Sequence, residues 1–256
     1  MFNHAIVCPP SSSFSKGLTS AQLGEPVLEL AQEQHAAYCT ALKRCGIDLI
    51  KLDPDPQYPD STFVEDTAVL TRNVAIITRP GAASRRGEVS SIQARLRPYY
   101  SSIFKIQSPG TLEGGDVCQV ESHYLIGISE RTNEEGAQQL AGFLERDGFQ
   151  VSLVDLLKSK GLLHLKSGIA YLGDGRIVLC PDLENIPLWN KYEIIPVDPE
   201  EGYAANCVRV NEYVLLAAGY PRMAAKLSTL GYRTIALEMS EFQKMDGGLS
   251  CLSLRF

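Results

Sequence analysis

The chain has 256 residues and a net charge of −6, with 45% hydrophobic and 21% charged residues. This length is near the upper limit for one hydrophobic core, so we expect one domain spanning residues 1–256. No apolar run reaches the length of a membrane span, and the basic residues form no stripe for nucleic acid. The N-terminal MFNHAIVCPP lacks a basic segment followed by a long apolar stretch, which argues against a signal peptide. We therefore expect a cytoplasmic protein that binds neither nucleic acid nor a membrane.

Short β-rich runs alternate with helical segments along the chain. Residues 25–46 have apolar side chains at helical spacing, which predicts a first helix. Paired strand-like runs joined by polar turns then predict β-hairpins over residues 66–80, 115–129, 167–181 and 205–221. Start and stop signals (capping side chains, early acids or Pro, final Gly) predict further helices over residues 84–100, 132–148 and 221–231.

The hairpins recur at a spacing that indicates a repeat. Their starts lie 50, 52 and 38 residues apart, and the repeating unit is a hairpin followed by a helix. The terminal segments 4–10 and 248–256 both resemble strands. Pairing them would complete a fifth unit and close a ring without exposed edges. An open α+β sandwich without symmetry is the alternative.

In a ring whose units point the same way, the loops before the hairpins meet at one end. PDSTFVED contributes Asp60, Glu65 and Asp66, and LEGGD contributes Glu113 and Asp116. Carboxylates at converging loop tips would make a site for a cation. A single acidic loop residue is more often a solvated turn former, so the prediction depends on the cluster across two units.

The seven cysteines are odd in number and form no CxxC pair, which argues against a disulfide scaffold or a structural zinc site. Cys251, in the last strand-like segment, follows a Gly-Gly pair, and His164 precedes a predicted hairpin. Either residue, taken alone, could be a buried core side chain. Together with Glu113, they are the parts of covalent catalysis, namely a nucleophile, a proton-transfer group and an orienting carboxylate.

The sequence resembles the bacterial type of the dimethylarginine dimethylaminohydrolase family, from about residue 4 to residue 256. The resemblance is carried by LTSAQLG, PDSTFVEDTAV, AIITRPGAASRRGE, PGTLEGGDV, LHLKSGIAYL, YAANC, AGYPR and DGGLSCLSLRF, in the order of the family. These enzymes modify guanidino groups. The resemblance implies an α/β fold with five ββαβ units in a ring, called a pentein or α/β propeller.

The resemblance also implies catalytic roles. Cys251 would attack the guanidinium carbon, and His164 would protonate the leaving amine and then activate water. Glu113 would orient His164, and Glu65 and Asp66 would belong to the substrate-binding carboxylates, with Asp66 on the unsubstituted guanidinium nitrogens. We expect the Cys251 thiol to be protonated in the free enzyme and to ionise when a cationic substrate binds beside it.

The amino-acid end of the substrate has matching residues too. Arg85 and Arg131 resemble the clamp for the α-carboxylate, a task suited to a guanidinium fork. Asp60, with the carbonyl groups of Leu18 and Met245, would hold the α-amino group. Residues 17–20 resemble a mobile lid. The alternative for both arginines is an exposed position near a helix cap.

Within the superfamily, Lys166 favours hydrolysis of methylated arginines. Arginine deiminases typically have an acidic residue two positions after the catalytic histidine, and they carry an inserted helical domain for which this chain is too short. We expect asymmetric dimethylarginine and monomethylarginine to yield citrulline and an alkylamine, without metal or cofactor. A hydrolase or deiminase of arginine or citrulline, a non-catalytic amino-acid-binding pentein and a redox sensor are the alternatives, and a homodimer is allowed.

Overall fold

The computed structural model describes residues 1–158 and 161–256. Its strands are β1 (His4–Val7), β2 (Asp48–Lys51), β3 (Ala68–Leu70), β4 (Val74–Ile77), β5 (Ser102–Lys105), β6 (Val117–Val120), β7 (His123–Ile128), β8 (Gln150–Asp155), β9 (Ile169–Gly173), β10 (Arg176–Leu179), β11 (Glu193–Pro196), β12 (Val208–Val210), β13 (Tyr213–Ala217), β14 (Arg233–Leu237) and β15 (Leu254–Arg255). Its α-helices are α1 (Leu28–Arg44), α2 (Val89–Leu96), α3 (Glu134–Arg146), α4 (Leu165–Gly168), α5 (Pro221–Thr229) and α6 (Ser240–Gln243).

The strands of the described residues form five three-stranded sheets with a common plan. In each sheet the middle strand pairs antiparallel with one neighbour and parallel with the other, as in β6–β7–β8. The antiparallel pair needs only a tight turn, whereas the parallel pair needs a crossover, which α3 supplies between β7 and β8. Each sheet is thus one ββαβ unit or a variant of it.

The two ends of the chain complete the fifth unit. β1 pairs antiparallel with β15, with Ala5 opposite Arg255, and it pairs parallel with β2 after the crossover through α1. The inner strands β3, β6, β9, β12 and β15 line a central cavity of about 620 Å³. The prediction of a five-unit ring is confirmed, and the open sandwich is wrong.

One helix prediction needs correction. The helix predicted over residues 84–100 begins at Val89, because residues Ala83–Arg85 form a 3₁₀ turn that directs the Arg85 side chain into the interior. It ends at Leu96, because Pro98 cannot continue a helix. In the third unit, the described residues between β10 and β11 form two 3₁₀ turns that begin at prolines, and the buried Trp189 fills the core at this place.

The helices lie on the sheets through apolar faces. α3 buries Ala137, Leu140 and Leu144 in the same cluster as Ile126 of β7, and Asn133 caps the helix by accepting a hydrogen bond from the Gly136 amide at 2.9 Å. None of the helices in the described part of the chain has the length and apolar character needed to cross a membrane.

Candidate active site

One short helical turn precedes the first strand of every unit. These turns are Val64–Thr67, Gly114–Asp116, Leu165–Gly168 (α4), Pro199–Ala205 and Ser250–Leu252. Four of the five neighbouring pairs of turns contact each other, and Asn206, just after the fourth turn, is hydrogen-bonded to Ser250 of the fifth, so the turns meet at one end of the ring. The convergence predicted from the repeat is therefore present. The predicted catalytic residues lie in or beside three of the five turns, and Glu65 and Asp66 lie in a fourth.

Asp66, Glu113 and His164 form a compact cluster. Each offers a ligand atom within 4.8 Å of those of the other two, and all three side chains are buried. Gly115 makes this approach possible. A Cβ at that position would lie 2.8 Å from His164 Cγ and 2.9 Å from Asp66 Oδ1, which is closer than real Cβ atoms come. The second glycine of LEGGD thus has a packing reason.

Glu113 and His164 are directly paired. His164 Nε2 lies 2.8 Å from Glu113 Oε2, and the Glu113 residue is 1% exposed. The other carboxylate oxygen of Glu113 accepts the Gly81 amide at 3.1 Å, so the carboxylate is held from both sides. Burial lowers the pKa of His164, but the charges of Asp66, Asp116 and Glu113 outweigh burial and raise it above its usual value. The imidazolium form of His164 is therefore favoured.

Asp116 has a role that sequence reasoning missed. It is fully buried and accepts hydrogen bonds from the hydroxyl groups of Ser129 (2.7 Å) and Thr132 (2.6 Å), and from the amide of Leu165 at 3.0 Å. Because Leu165 follows His164, Asp116 fixes the backbone that carries the imidazole. The carboxylate that the sequence suggested for a cation site is occupied by the protein itself.

Asp66 is paired with Arg85. Its Oδ2 accepts Arg85 Nη1 at 2.6 Å, and its Oδ1 accepts the Gly115 amide at 2.9 Å. Arg85 is 5% exposed, so its alternative interpretation as an exposed cap residue is wrong. Arg85 also donates to both carboxylate oxygens of Glu88. Sequence reasoning missed Glu88, although its position three residues after Arg85 in RRGE was a usable signal.

Glu65 faces two cations. Its Oε1 lies 2.7 Å from Lys166 Nζ and 3.1 Å from Arg255 Nη2. The negative charge of Glu65 is thus compensated inside the protein. The sequence indicated Lys166 as a departure from the deiminase pattern, but it gave no indication that Lys166 and Arg255 share this carboxylate.

Cys251 lines a cavity of about 680 Å³ at the mouth of the site, together with Leu163, Tyr203 and Asp246. Cys251 is partly exposed as a residue, whereas the other six cysteines are buried. Shielding from water and the charges of Glu65 and Asp66 raise the pKa of the Cys251 thiol to about 12. The neutral thiol is therefore the resting form in the structure.

The residues predicted for the amino-acid end lie around Asp60. Asp60 is buried, and its Oδ1 accepts the amide of Leu18 at 3.0 Å, while Met245 is buried next to Gly17. Burial raises the pKa of Asp60, against the opposing charges of Arg85 and Arg131. Arg131 is partly exposed.

The predicted lid is joined to the segment that leads to Cys251. Ser20 donates from its amide (2.5 Å) and its hydroxyl (2.9 Å) to Asp246 Oδ2. The hydroxyl of Thr19 donates to the carbonyl oxygen of Lys244 at 2.9 Å. Residues 19 and 20 are therefore held against residues 244 and 246 in this structure.

A five-unit ring with a thiol, an imidazole and carboxylates at one end defines a hydrolase of the pentein class. The model of the family described as "N,N dimethylarginine dimethylhydrolase, eukaryotic" matches residues 9–195. The chain is 47% identical to the N(G),N(G)-dimethylarginine dimethylaminohydrolase of Pseudomonas aeruginosa, with full coverage of both chains. It is 38% identical to that of Streptomyces coelicolor, over 98% of this chain and 96% of the relative. The chain belongs to the dimethylarginine dimethylaminohydrolase family.

Solved structures agree with this assignment. A cysteine-to-serine variant of the Pseudomonas aeruginosa protein in complex with citrulline matches with a TM-score of 0.97, 46% identity and full coverage of both chains. The same values apply to a histidine-to-glycine variant of dimethylarginine dimethylaminohydrolase, solved as an adduct with S-methyl-L-thiocitrulline. The N-terminal domain of the arginine dihydrolase ArgZ, bound to substrate, matches at 19% identity with a TM-score of 0.88, covering 98% of this chain and 97% of that one, which shows a shared fold.

Proposed function

We propose that the chain, acting as one catalytic domain over residues 1–256, hydrolyses asymmetric dimethylarginine and monomethylarginine to citrulline and an alkylamine. The observation that carries the proposal is the buried pair of His164 and Glu113, 2.8 Å apart and beside Asp66, whose turn contacts the turn that carries the Cys251 thiol. Such a pair can donate a proton to a leaving amine and take one from water.

The reaction begins with ionisation of Cys251. The substrate guanidinium is held by Asp66, and its positive charge lowers the pKa of the thiol, which releases its proton to solvent. The thiolate sulfur then attacks the guanidinium carbon and forms a C–S bond. The His164 imidazolium protonates the alkylated nitrogen, the C–N bond breaks, and the neutral alkylamine leaves.

A covalent S-alkylthiouronium on Cys251 remains, and His164 is now neutral. His164 takes a proton from water as the water oxygen attacks the thiouronium carbon. The C–S bond breaks, the sulfur recovers a proton, and citrulline is released. His164 ends as the imidazolium in which it started, so one residue serves as the acid in the first half and as the base in the second.

The cluster suits a guanidinium better than a metal ion. Asp66, Glu113 and His164 offer oxygen and nitrogen atoms within 4.8 Å of one another. A metal ion, however, would have to lie beside the Arg85 guanidinium, which is 2.6 Å from Asp66, and would need the His164 nitrogen without its proton. We infer a metal-independent reaction in which chelators leave turnover unchanged.

The pairing of Lys166 with Glu65 supports methylated arginine as the substrate. Glu65 is paired with two cations, whereas Asp66 is paired with one, Arg85, and lies beside His164 and Glu113, so Asp66 is the carboxylate we assign to the guanidinium edge. The methylated nitrogens then need no hydrogen-bond acceptor. We assign the α-carboxylate to Arg85 and Arg131, and the α-amino group to Asp60 with the carbonyl groups of Leu18 and Met245.

The test is a citrulline assay with asymmetric dimethylarginine in which dimethylamine is measured in the same samples. The parent should form both products in equal amounts, and Cys251→Ser should form neither, whereas Cys45→Ser, a buried cysteine remote from the site, should remain active. Consumption of arginine or citrulline without turnover of methylated arginines would favour the other guanidino hydrolases. Tight binding without turnover would favour a non-catalytic binding protein.

The state of the thiol gives a second test. Because the pKa of Cys251 is raised, alkylation of the free protein should be slow at neutral pH and should still be increasing with pH at pH ~9, where the alkylation rate of an ordinary thiol levels off. A saturating arginine-like cation that leaves the thiol accessible should move the thiol titration to lower pH. A thiolate that titrates near pH 6 in the free protein would contradict the proposed mechanism.

A further inference from the structure

Glu88 is a buried acid that the proposed reaction does not use. It is 5% exposed and immediately precedes α2, outside the five turns. Its Oε1 and Oε2 each lie 3.2 Å from Arg85 Nε, and Oε2 lies 2.9 Å from Arg85 Nη2. A carboxylate that grips two nitrogens of a guanidinium fixes the plane of that group as well as its position.

The hydrogen-bond donors of Arg85 can be counted. A guanidinium has five N–H groups in a rigid fork. Glu88 takes the Nε hydrogen and one Nη2 hydrogen, the carbonyl oxygen of Phe63 takes the other Nη2 hydrogen at 3.0 Å, and Asp66 takes one Nη1 hydrogen at 2.6 Å. Within the described residues, one Nη1 hydrogen remains without a hydrogen-bond acceptor. It belongs to the nitrogen that already holds Asp66.

Resting on the proposed function, we propose that Glu88 is a positioning residue that lets Arg85 Nη1 serve both ends of an amino-acid substrate. One Nη1 hydrogen holds Asp66, which binds the guanidinium. The other is directed to the α-carboxylate. Glu88 thereby directs the second Nη1 hydrogen to the α-carboxylate, while Asp66 is also held by the Gly115 amide at 2.9 Å, so Glu88 favours free methylarginine over methylguanidines that lack a carboxylate.

The variant Glu88→Gln tests the coupling with little change of shape. The amide keeps one oxygen acceptor but directs an NH₂ group at a guanidinium, so it cannot grip both Arg85 nitrogens. For monomethylarginine, kcat/KM should fall about 10- to 100-fold, mainly through KM, which is the size of a lost hydrogen bond to a charged group. For Nω-methylagmatine, which lacks only the α-carboxylate, it should change less than about 3-fold, within the scatter of a contact that is not made. If the parent turns methylagmatine over too slowly, its inhibition constant against monomethylarginine gives the same comparison.

A matched control separates positioning from folding. Glu201 is also buried, at 6% exposure, and accepts the amides of Arg222 (2.9 Å) and Met223 (2.7 Å) at the start of α5, away from Arg85. Glu201→Gln should lower the thermal midpoint and leave the ratio of the two substrates unchanged. In an Arg85→Ala background, Glu88→Gln should not change that ratio further, because Glu88 acts through Arg85.

Each outcome decides the proposal. An equal loss for both substrates in Glu88→Gln, an unchanged kcat/KM for monomethylarginine, or a further change of the ratio in the Arg85→Ala background would overturn it. A parent protein that forms no citrulline from any methylated arginine would instead overturn the proposed function, so the two failures are distinct.

Discussion

Two buried carboxylate–cation pairs lie side by side in the site, and they differ in one respect. Glu113 and His164 are 2.8 Å apart, and Asp66 and Arg85 are 2.6 Å apart. An imidazolium can release its proton near neutral pH, whereas a guanidinium keeps its proton at any physiological pH. Two pairs of similar geometry can therefore serve different purposes, one to move protons and the other to hold a fixed arrangement of charge.

Removal of the imidazole of His164, which transfers the proton, should have the largest effect. His164→Asn should lower kcat for monomethylarginine by about 10²- to 10⁴-fold, the usual contribution of general acid–base catalysis. The control is His123→Asn, because His123 bonds to Tyr192 and Ser152 at the other end of its hairpin. A His164→Asn protein with near-parental kcat would show that another group transfers the proton.

Removal of charge from the fixed pair should have the next largest effect. Asp66→Asn should reduce kcat/KM by about 10- to 100-fold and the free energy of unfolding by about 1–3 kcal/mol, since Arg85 would lose a buried charged partner. Kinetics and denaturant unfolding of the same preparation measure both quantities. A loss of activity without any loss of stability would mean that Arg85 does not depend on Asp66 in the folded protein.

A change of pH should distinguish the two pairs, because it titrates His164 but leaves Arg85 charged. The pKa of His164 is raised in the folded state, so its stabilising effect is complete below the unfolded value of about 6.5 and is lost as pH rises through the folded value. Glu113→Gln removes a negative charge next to His164, which should move the basic limb of the kcat profile about 1–3 units lower.

Stability as a function of pH provides the matching control. The midpoint difference between the parent and Glu113→Gln should change as pH rises through the His164 titration in the parent and become constant above it. The midpoint difference between the parent and Glu88→Gln, which loosens Arg85 but leaves Asp66, Asp116 and Glu113 charged around His164, should stay constant over the same alkaline range, because Arg85 does not titrate there. Equal pH dependence of both differences would contradict the contrast drawn between the pairs.

The smallest effect is expected from the lid, which contacts neither pair directly. Asp246→Gly removes the acceptor for Ser20 and keeps a backbone φ of 56° that glycine tolerates. With about 1 kcal/mol for an exposed hydrogen bond, KM should rise about 5-fold, and trypsin should cleave after the exposed Lys16 about 5-fold faster. Asp174→Gly, at a similar φ of 54° in a remote turn, should change neither quantity.

Most of the architecture could be predicted from the sequence, because hairpins and helices depend on local alternation, turn formers and caps. The predicted start of α2 at Ser84 was wrong. A 3₁₀ turn places Arg85 beside Asp66, which is 19 residues earlier in the chain, and this pairing overrides the local helix signal at Ser84. The third unit has 3₁₀ turns at the place where the repeat would have a helix. There Pro181 and Pro187 begin short turns, and the buried Trp189 occupies the core between them.

The site was predictable where residue type alone implies chemistry, as for Cys251, His164 and Glu113. It was not predictable where a residue acts through another. Asp116 reads as a loop acid, yet it holds the Leu165 amide. The sequence gives no indication of a role for Arg255, yet Arg255 and Lys166 both form ion pairs with Glu65. These pairings join residues about 50 to 190 positions apart, and local patterns carry no information about them.

Because the last strand closes the ring, the order of synthesis determines when the active site can be completed. Of the turns that converge on the site, the one with Cys251 is the last in chain order, directly before the strand β15 that pairs with β1. The carboxylates and the imidazole leave the ribosome well before the thiol. The nucleophile and the closing strand are therefore synthesised together. A chain that is long enough to react is also long enough to close its ring.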